Sequence, residues 1–242
     1  EDSIVANSNF LQDNFQMQPV SFILKNGILV SVRDTELKSF NDTVKKIYAD
    51  SKNFMTGYHV LVALLETRVE YDADMIEYIT DQITNLSKTL NTEDDLSQDI
   101  LMSIKDHQEK VMIIRQNIID KQRVVSNMLK SNLFPQDLLP RLTMVIKDIN
   151  SLFEYTRFGF DRLDYLQDTF LGLVNIQQNK IIKIFTVVSV IFMPPTLIAS
   201  MYGMNFKFMP ELSWKFGYPF SIFLMVTFAL GVLLYFKRKK WL

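Results

Sequence analysis

Residues 184–206 read IFTVVSVIFMPPTLIASMYGMNF, and residues 216–236 read FGYPFSIFLMVTFALGVLLYF; these are 23 and 21 consecutive positions without Asp, Glu, Lys or Arg. At a rise of about 1.5 Å per residue, each run exceeds the roughly 30 Å hydrocarbon thickness of a bilayer, which predicts two transmembrane helices forming a hairpin. A helix buried in a globular core rarely goes so long without a charge. Both runs follow a large charged portion, so neither reads as a signal peptide.

The charge totals conceal an asymmetry. The chain has 242 residues with 26 Lys+Arg and 27 Asp+Glu. From Asn179 onward there are eight bases (Lys180, Lys183, Lys207, Lys215, Lys237, Arg238, Lys239, Lys240) and one acid, Glu211, a balance of +7. The first 178 residues therefore hold 18 bases and 26 acids, a balance of −8. Lys180 and Lys183 precede the first span and the Lys237 to Lys240 cluster follows the second, so by the positive-inside rule both ends are expected in the cytoplasm. The connection 207–215 is then external, and Trp214, Tyr218 and Trp241 suit the interfacial aromatic belt. A hydrophobic content of 48% excludes a disordered or collagenous chain, and the absence of Cys excludes a disulfide scaffold and thiol metal sites.

Outward from the spans, the pattern is helical back to Pro135 and Pro140. Leu142, Ile149, Thr156, Leu163 and Phe170 recur every seven residues, with Val145, Leu152, Gly159, Leu166 and Leu173 at the matching second apolar position. One helix from about Leu138 to Met201 would be about 95 Å long. It is expected to pack on its own hairpin and can carry a mechanical signal to the membrane. Upstream, Leu61, Leu64, Leu65, Met75, Ile76, Ile79, Ile83, Leu86 and Leu90 mark one long helix. Thr92 with Asp95 resembles a capping box opening a second, from Leu96 to about Lys130, with an acidic tip at Glu93-Asp94-Asp95. Nearer the start, two β-rich runs flank Asn26-Gly27, the preferred pair for a type I′ hairpin turn. A lone hairpin is marginal in water and needs further strands or a covering helix. The chain begins at Glu1 with no initiator Met, so this portion reads as the remnant of a larger α/β domain.

The organisation expected is therefore an α/β remnant over 1–53, an antiparallel helical hairpin over 54–134, a stalk helix over 135–183, spans over 184–206 and 216–236 joined by the loop 207–215, and a basic tail over 237–242. Nothing suggests catalysis. His59 and His107 have no metal-ligand spacing and read as solvated or capping residues, and the glycines form no phosphate loop. Acidic stretches such as Glu70, Asp72 and Asp74 argue against nucleic acid.

The first span has one polar side. Asn179, Ile182, Thr186, Ser189, Met193, Thr196 and Ser200 follow one another at helical spacing, while Ile184, Val187, Ile191 and Leu197 occupy the other face. An uncharged polar stripe in a membrane helix either joins helices or lines a water-filled pore, and a pore needs several copies around an axis. Pro194-Pro195 frees backbone carbonyls that Ser or Thr hydroxyls and water can satisfy only where the helix faces protein or a cavity.

Tyr202-Gly203-Met204-Asn205, followed by Met209-Pro210-Glu211-Leu212, a second span and the closing Lys237-Arg238-Lys239-Lys240-Trp241-Leu242, resembles the CorA family of divalent-cation channels. The resemblance covers Asn179 to Leu242 closely and the preceding helices in organisation. It implies a mainly α membrane protein of a bacterial inner membrane, with a cytosolic α/β domain, a very long stalk helix and two C-terminal spans. It also implies a homopentamer that carries Mg2+, with Co2+ and Ni2+ as surrogate ions. By this likeness Gly203, Met204 and Asn205 form the outer selectivity mouth, and Asn179, Ile182, Phe185, Ser189, Met193 and Thr196 face the axis, with Ser200 completing the stripe. Phe185 is bulky where an aliphatic gate residue is equally expected. Glu211 would concentrate cations near the mouth. The acidic N-terminal part suggests regulation by cytosolic Mg2+ bridging neighbouring copies, with Asp148, Glu154, Asp161, Asp164 and Asp168 on the stalk as candidates. A zinc transporter of the same architecture and a non-conducting, membrane-anchored coiled-coil scaffold are the alternatives.

Overall fold

The computed structural model describes residues 3–92 and 97–239. The chain forms two compact units that divide between Phe170 and Leu171. Three strands come first: β1 (Ser3–Leu11), β2 (Met17–Lys25) and β3 (Ile28–Arg33), paired antiparallel in the order β1-β2-β3. Five helices follow: α1 (Lys38–Ala49), α2 (Gly57–Thr92), α3 (Gln98–Lys130), α4 (Leu139–Tyr202) and α5 (Gly217–Arg238). The fold is mainly helical with a small sheet, as the sequence leads one to expect.

The hairpin at Asn26-Gly27 is β2 to β3. Lys25 pairs with Ile28, and the two loop residues have φ of 50° and 77°, the double left-handed conformation of a type I′ turn. Strand β1 is an addition that the sequence reading lacks. It pairs with β2 from Ser3↔Lys25 to Leu11↔Met17. Its inward positions before Phe10 include Ala6 and Ser8 rather than large apolar residues, which hides the alternation. The partner is polar: Ser8 Oγ and the Asn9 backbone N–H both donate to Asp120 Oδ2 of α3, at 3.2 and 2.7 Å. The rest of the sheet's inner face is apolar, with Phe10, Val20, Phe22 and Leu24 buried and Phe40 of α1 stacked on Phe22 at 6.3 Å.

A glycine sets how closely α2 approaches the hairpin. Gly57 N–H donates to the Gly27 carbonyl at 2.6 Å, and a Cβ at Gly57 would lie 2.5 Å from Leu29 N and 2.8 Å from Gly27 O. Those neighbours are backbone atoms of a fixed turn, so they cannot move aside.

Helices α2, α3 and the first part of α4 form a bundle. The predicted heptad positions of α4 face into it: Leu142, Val145, Ile149, Thr156, Leu163, Leu166 and Phe170 are all buried. Gly159 faces Ile83 of α2, whose Cδ1 an added Cβ would meet at an ordinary contact distance of 3.9 Å. Polar cross-links fix the register, among them Arg141 to Glu66 at 2.9 and 2.5 Å and Arg162 Nη1 to Thr84 Oγ1 at 2.9 Å. Pro140 lies in the first turn of α4, where its missing N–H costs no intrahelical bond. Helix α3 begins at Gln98 rather than Leu96, with Ser97 before it. Thr92 ends α2, and its side chain, with Asp95 of the expected capping pair and the acidic tip Glu93-Asp94-Asp95, lies outside the described residues.

Within this bundle sits a buried ionic cluster. Asp72 of α2 accepts from Arg68 Nε and Nη2 at 3.1 and 2.5 Å and from Asn117 Nδ2 at 2.9 Å, and its other oxygen is 2.9 Å from Lys121 Nζ of α3. Arg68 also donates to the Leu11 carbonyl at the end of β1, at 2.7 Å. The ring of Phe10 lies 5.5 Å from the Arg68 guanidinium carbon and 5.7 Å from Lys121 Nζ. Asp72 and Lys121 are each only 1% exposed. Burial by itself favours the neutral acid at Asp72, but the Lys121 and Arg68 charges outweigh it and hold the carboxyl below its ordinary range. At Lys121 burial dominates and pushes the amine down to about 8, with Asp72 offsetting only part of it.

Asp72→Asn leaves two buried cations without their counter-charge and is expected to cost about 3–5 kcal/mol, read as a lower urea midpoint of the detergent-solubilised chain. Unfolded, Lys121 titrates at its ordinary 10.5, above its folded value of about 8. Between those values the unfolded chain holds a proton that the folded chain has released, so this group's contribution to stability rises with pH through the window and is level below it. The same titration on Lys121→Met should lose that rise; an unchanged slope would show that another group causes it. At the hairpin, Gly57→Val should lower the melting temperature by several degrees, whereas Gly172→Ala, with open space around its Cβ, should not.

Candidate functional site

Two helices are long and apolar enough to cross a membrane, the C-terminal portion of α4 and all of α5. Both belong to the second unit, and each turns one side inward. On α4 the half-buried or buried positions are Lys183, Val187, Val190, Ile191, Pro194, Pro195, Ile198 and Tyr202. At 100° per residue these form a band around Val187. On α5 the buried positions are Gly217, Ser221 and Phe236, again one side of the helix.

The polar stripe lies on the other side of α4. Asn179, Ile182, Phe185, Thr186, Ser189, Met193, Thr196 and Ser200 are all exposed, Phe185 at 69% and Met193 at 65%. Of the residues read as the opposite apolar face, Val187 and Ile191 turn inward, whereas Ile184 and Leu197 are exposed flanks. The unit therefore spends its own apolar contacts on one side of α4 and, among the described residues, leaves the hydroxyl-bearing side without cover of its own.

The hydroxyls are oriented by the helix itself. Thr186 Oγ1 donates to the Ile182 carbonyl and Thr196 Oγ1 to the Phe192 carbonyl, each at 2.8 Å. With the hydrogen committed to the backbone, the lone pairs of each hydroxyl remain as acceptors on the exposed side. Helix α4 runs through Pro194-Pro195 without interruption. The two prolines leave the Val190 and Ile191 carbonyls without their usual N–H donors. The expected re-satisfaction by a nearby hydroxyl is not what Thr196 provides, since its bond goes to Phe192, one residue further on.

Helix α4 ends at Tyr202. Gly203 N–H donates to the Ala199 carbonyl at 3.0 Å and Met204 N–H to the Met201 carbonyl at 3.3 Å. A Cβ on Gly203 would stand 3.2 Å from the Ala199 oxygen, so glycine here permits a tight helix end. Asn205 follows, exposed and outside any helix or strand. The connection then forms a short 3-10 turn, Pro210–Ser213. Glu211 lies on it, and its side chain lies outside the described residues. Trp214 closes the connection against Phe220 and Phe216, with ring centres 5.8 and 6.2 Å apart.

The acidic candidates Asp148, Glu154, Asp161, Asp164 and Asp168 are exposed on α4 within the first unit. Asp164 accepts from Gln108 Nε2 at 2.9 Å. Among the described residues no group of three or more His, Cys, Asp or Glu is arranged to hold a metal ion, so one copy of the chain does not gather these acids into a site. The sequence reading passed over the Arg68, Asp72 and Lys121 cluster. Its signal was an Arg and an Asp four residues apart, a spacing that places both on one face of a helix.

Comparison with known proteins agrees with this geometry. The family model described as "CorA-like Mg2+ transporter protein" matches residues 4–238. The magnesium transport protein CorA of Wolinella succinogenes is 41% identical over 249 residues, covering 100% of this chain and 78% of that protein. The Escherichia coli K12 protein of the same name is 37% identical over 235 residues, covering 96% of this chain and 74% of its own. The structure of the CorA magnesium transporter from Methanocaldococcus jannaschii superposes with a TM-score of 0.85 at 19% identity, over 99% of this chain and 77% of that one, and so shares the fold. Matched along nearly its whole length by both the family model and its relatives, this chain belongs to the CorA-like Mg2+ transporter family.

Proposed function

We propose that five copies of this chain surround an axis with the Asn179 to Ser200 stripe of α4 facing inward, forming a channel that passes hydrated Mg2+ down the membrane potential into the cytoplasm. The observation that carries this reading is the exposed stripe itself. A membrane helix whose acceptor-bearing side is left bare by its own unit needs water or further copies there, and lipid supplies neither.

The chemistry fits the ion. Mg2+ gives up its waters reluctantly, so it is best held through them. Those waters point hydrogens outward, and the recognising surface must then consist of acceptors. The Asn205 amide oxygen, the backbone carbonyls around Gly203 and Met204, and the lone pairs of Thr186 and Thr196 are of that kind and carry no net charge. Charged side chains at the mouth would hold the ion too firmly to release it. Further in, rings of Met193, Phe185 and Ile182 would resist wetting and close the path without a plug. A divalent ion crossing 100 mV gains about 4.6 kcal/mol, so inward movement needs no ATP. Co2+ and Ni2+, of similar size and hydration, would follow the same route. Zinc is disfavoured as the main cargo, since the span and its mouth hold no Cys or His.

In this reading the protein lies in a bacterial inner membrane with both termini in the cytoplasm, and cytosolic Mg2+ regulates it. The stalk acids Asp148, Glu154, Asp161, Asp164 and Asp168 are exposed and ungathered in one copy, so an ion held by them would have to bridge copies. Such an ion holds the assembly symmetric and shut until Mg2+ is depleted.

Liposomes loaded with a Mg2+-sensitive dye test conduction. Wild type should admit Mg2+, and Asn205→Ala should be slower by roughly tenfold or more, the loss of about 1.4 kcal/mol of ion binding. Equal flux would remove the outer-mouth role, and no flux from wild type would favour the non-conducting scaffold. Regulation is read by limited proteolysis: millimolar Mg2+ should protect wild type, and Asp148→Asn/Asp168→Asn should be cut at similar rates with and without the ion. Identical digestion of wild type in both conditions would count against the cytosolic sensor.

A further inference from the structure

The inner end of α5 carries an open groove of about 620 Å³ lined by Gly231, Leu234, Tyr235, Lys237 and Arg238. Gly231, Leu234, Tyr235 and Arg238 are spaced by three, four and seven residues from the glycine, so they occupy one side of the helix. Gly231 forms the floor: a Cβ built there would meet nothing within 4 Å. Leu234 and Tyr235 form the walls, both exposed, and the side lies away from the buried Phe236. At the rim stand Lys237, Arg238 and Lys239, all exposed.

Among the described residues of the second unit no carboxylate side chain stands beside these cations. Between Leu171 and Leu242 the only Asp or Glu is Glu211, which lies on the turn before α5. A helix of 22 residues separates that turn from the cluster, about 33 Å at the usual rise. The last-turn position of Lys237 and Arg238 complements the helix dipole, but a partial charge at a helix end balances about half a unit and not three. The groove beside them is apolar for two turns, which a carboxylate side chain would not fill and an acyl chain would. Its depth also matches, because the cations sit where an apolar span ends, the level of lipid phosphates.

We propose that this groove binds an anionic phospholipid, with an acyl chain lying over Gly231 beside Leu234 and the headgroup phosphate held by Lys237 and Arg238. Tyr235 sits at the boundary between the two, its ring against the chain and its hydroxyl toward the headgroup. The consequence for transport rests on the conduction reading above. Uncovered, the basic cluster would repel a divalent cation leaving at the inner end; a bound phosphate cancels that charge at its source.

The binding test does not require conduction. Purified full-length protein would be equilibrated with mixed phosphatidylglycerol and phosphatidylcholine, and retained lipid quantified by native mass spectrometry. Wild type should retain phosphatidylglycerol selectively. Lys237→Gln/Arg238→Gln should reduce that retention roughly thirtyfold, from two cations at about 1 kcal/mol each. Gly231→Leu keeps every charge and fills the floor, and it should also lose the lipid. Equal retention of both lipids by wild type would overturn the proposal. So would full displacement by millimolar inorganic phosphate with Gly231→Leu behaving as wild type, the signature of a bare phosphate site. A change of oligomer size in Gly231→Leu with lipid retention unaltered would mean that a second copy covers the groove, and would overturn it too. In vesicles, Mg2+ flux through wild type should fall severalfold when phosphatidylglycerol is omitted, while Lys237→Gln/Arg238→Gln should be indifferent to it. Silence of wild type in every lipid would sink the conduction reading and leave the lipid site standing on the binding data.

Discussion

Helix α4 has to satisfy two different surroundings along one unbroken run of backbone hydrogen bonds. Up to Phe170 its apolar positions return every seven residues and are buried against α2 and α3, with charged and aromatic residues outside. Beyond Lys183 the charges stop, since a span in hydrocarbon must satisfy its backbone internally and carry side chains that need no water. What does not change is the helix itself. Even Pro194-Pro195 fails to break it, because the helix can give up two internal bonds where one side meets polar or protein surroundings. The side that stays polar through the span is the side its own unit leaves uncovered, and the proposed pore rests on that coincidence.

The first unit depends on a different economy. Its centre is a carboxylate, Asp72, shared by a guanidinium, an ammonium and an amide, all removed from water. Such a cluster is not a strong source of stability, because desolvating the ions costs about as much as their attraction returns. Its effect is on specificity. Arg68 reaches the last carbonyl of β1, Lys121 lies over Phe10, and neighbouring Asp120 holds Ser8 and Asn9. Sheet and helices are therefore tied to one another by polar contacts as well as by apolar packing.

The membrane unit shows the reverse distribution of charge. Its only Asp or Glu is Glu211, and on the proposed reading lipid phosphate balances the basic end of α5. A transporter of divalent cations gains from that arrangement. Fixed carboxylates near the path would trap the cargo, whereas neutral oxygens leave it exchangeable.

Local rules determined much of this protein from sequence alone. Charge-free length gives the two spans, Asn26-Gly27 gives the β2 to β3 turn, and the heptads give the buried stripe of α4, because each depends on residues close in the chain. The continuous helix expected from about Leu138 to Met201 runs from Leu139 to Tyr202. Tertiary structure decided what local pattern cannot carry. Strand β1 is recognised by an acid 112 residues away, so its inward face need not look hydrophobic. Gly57 matters because another segment's backbone occupies the space of its missing side chain. Which side of α4 turns inward, and which way the Thr196 hydroxyl points, were settled only when the unit packed, since a stripe has two possible neighbours until contacts choose between them.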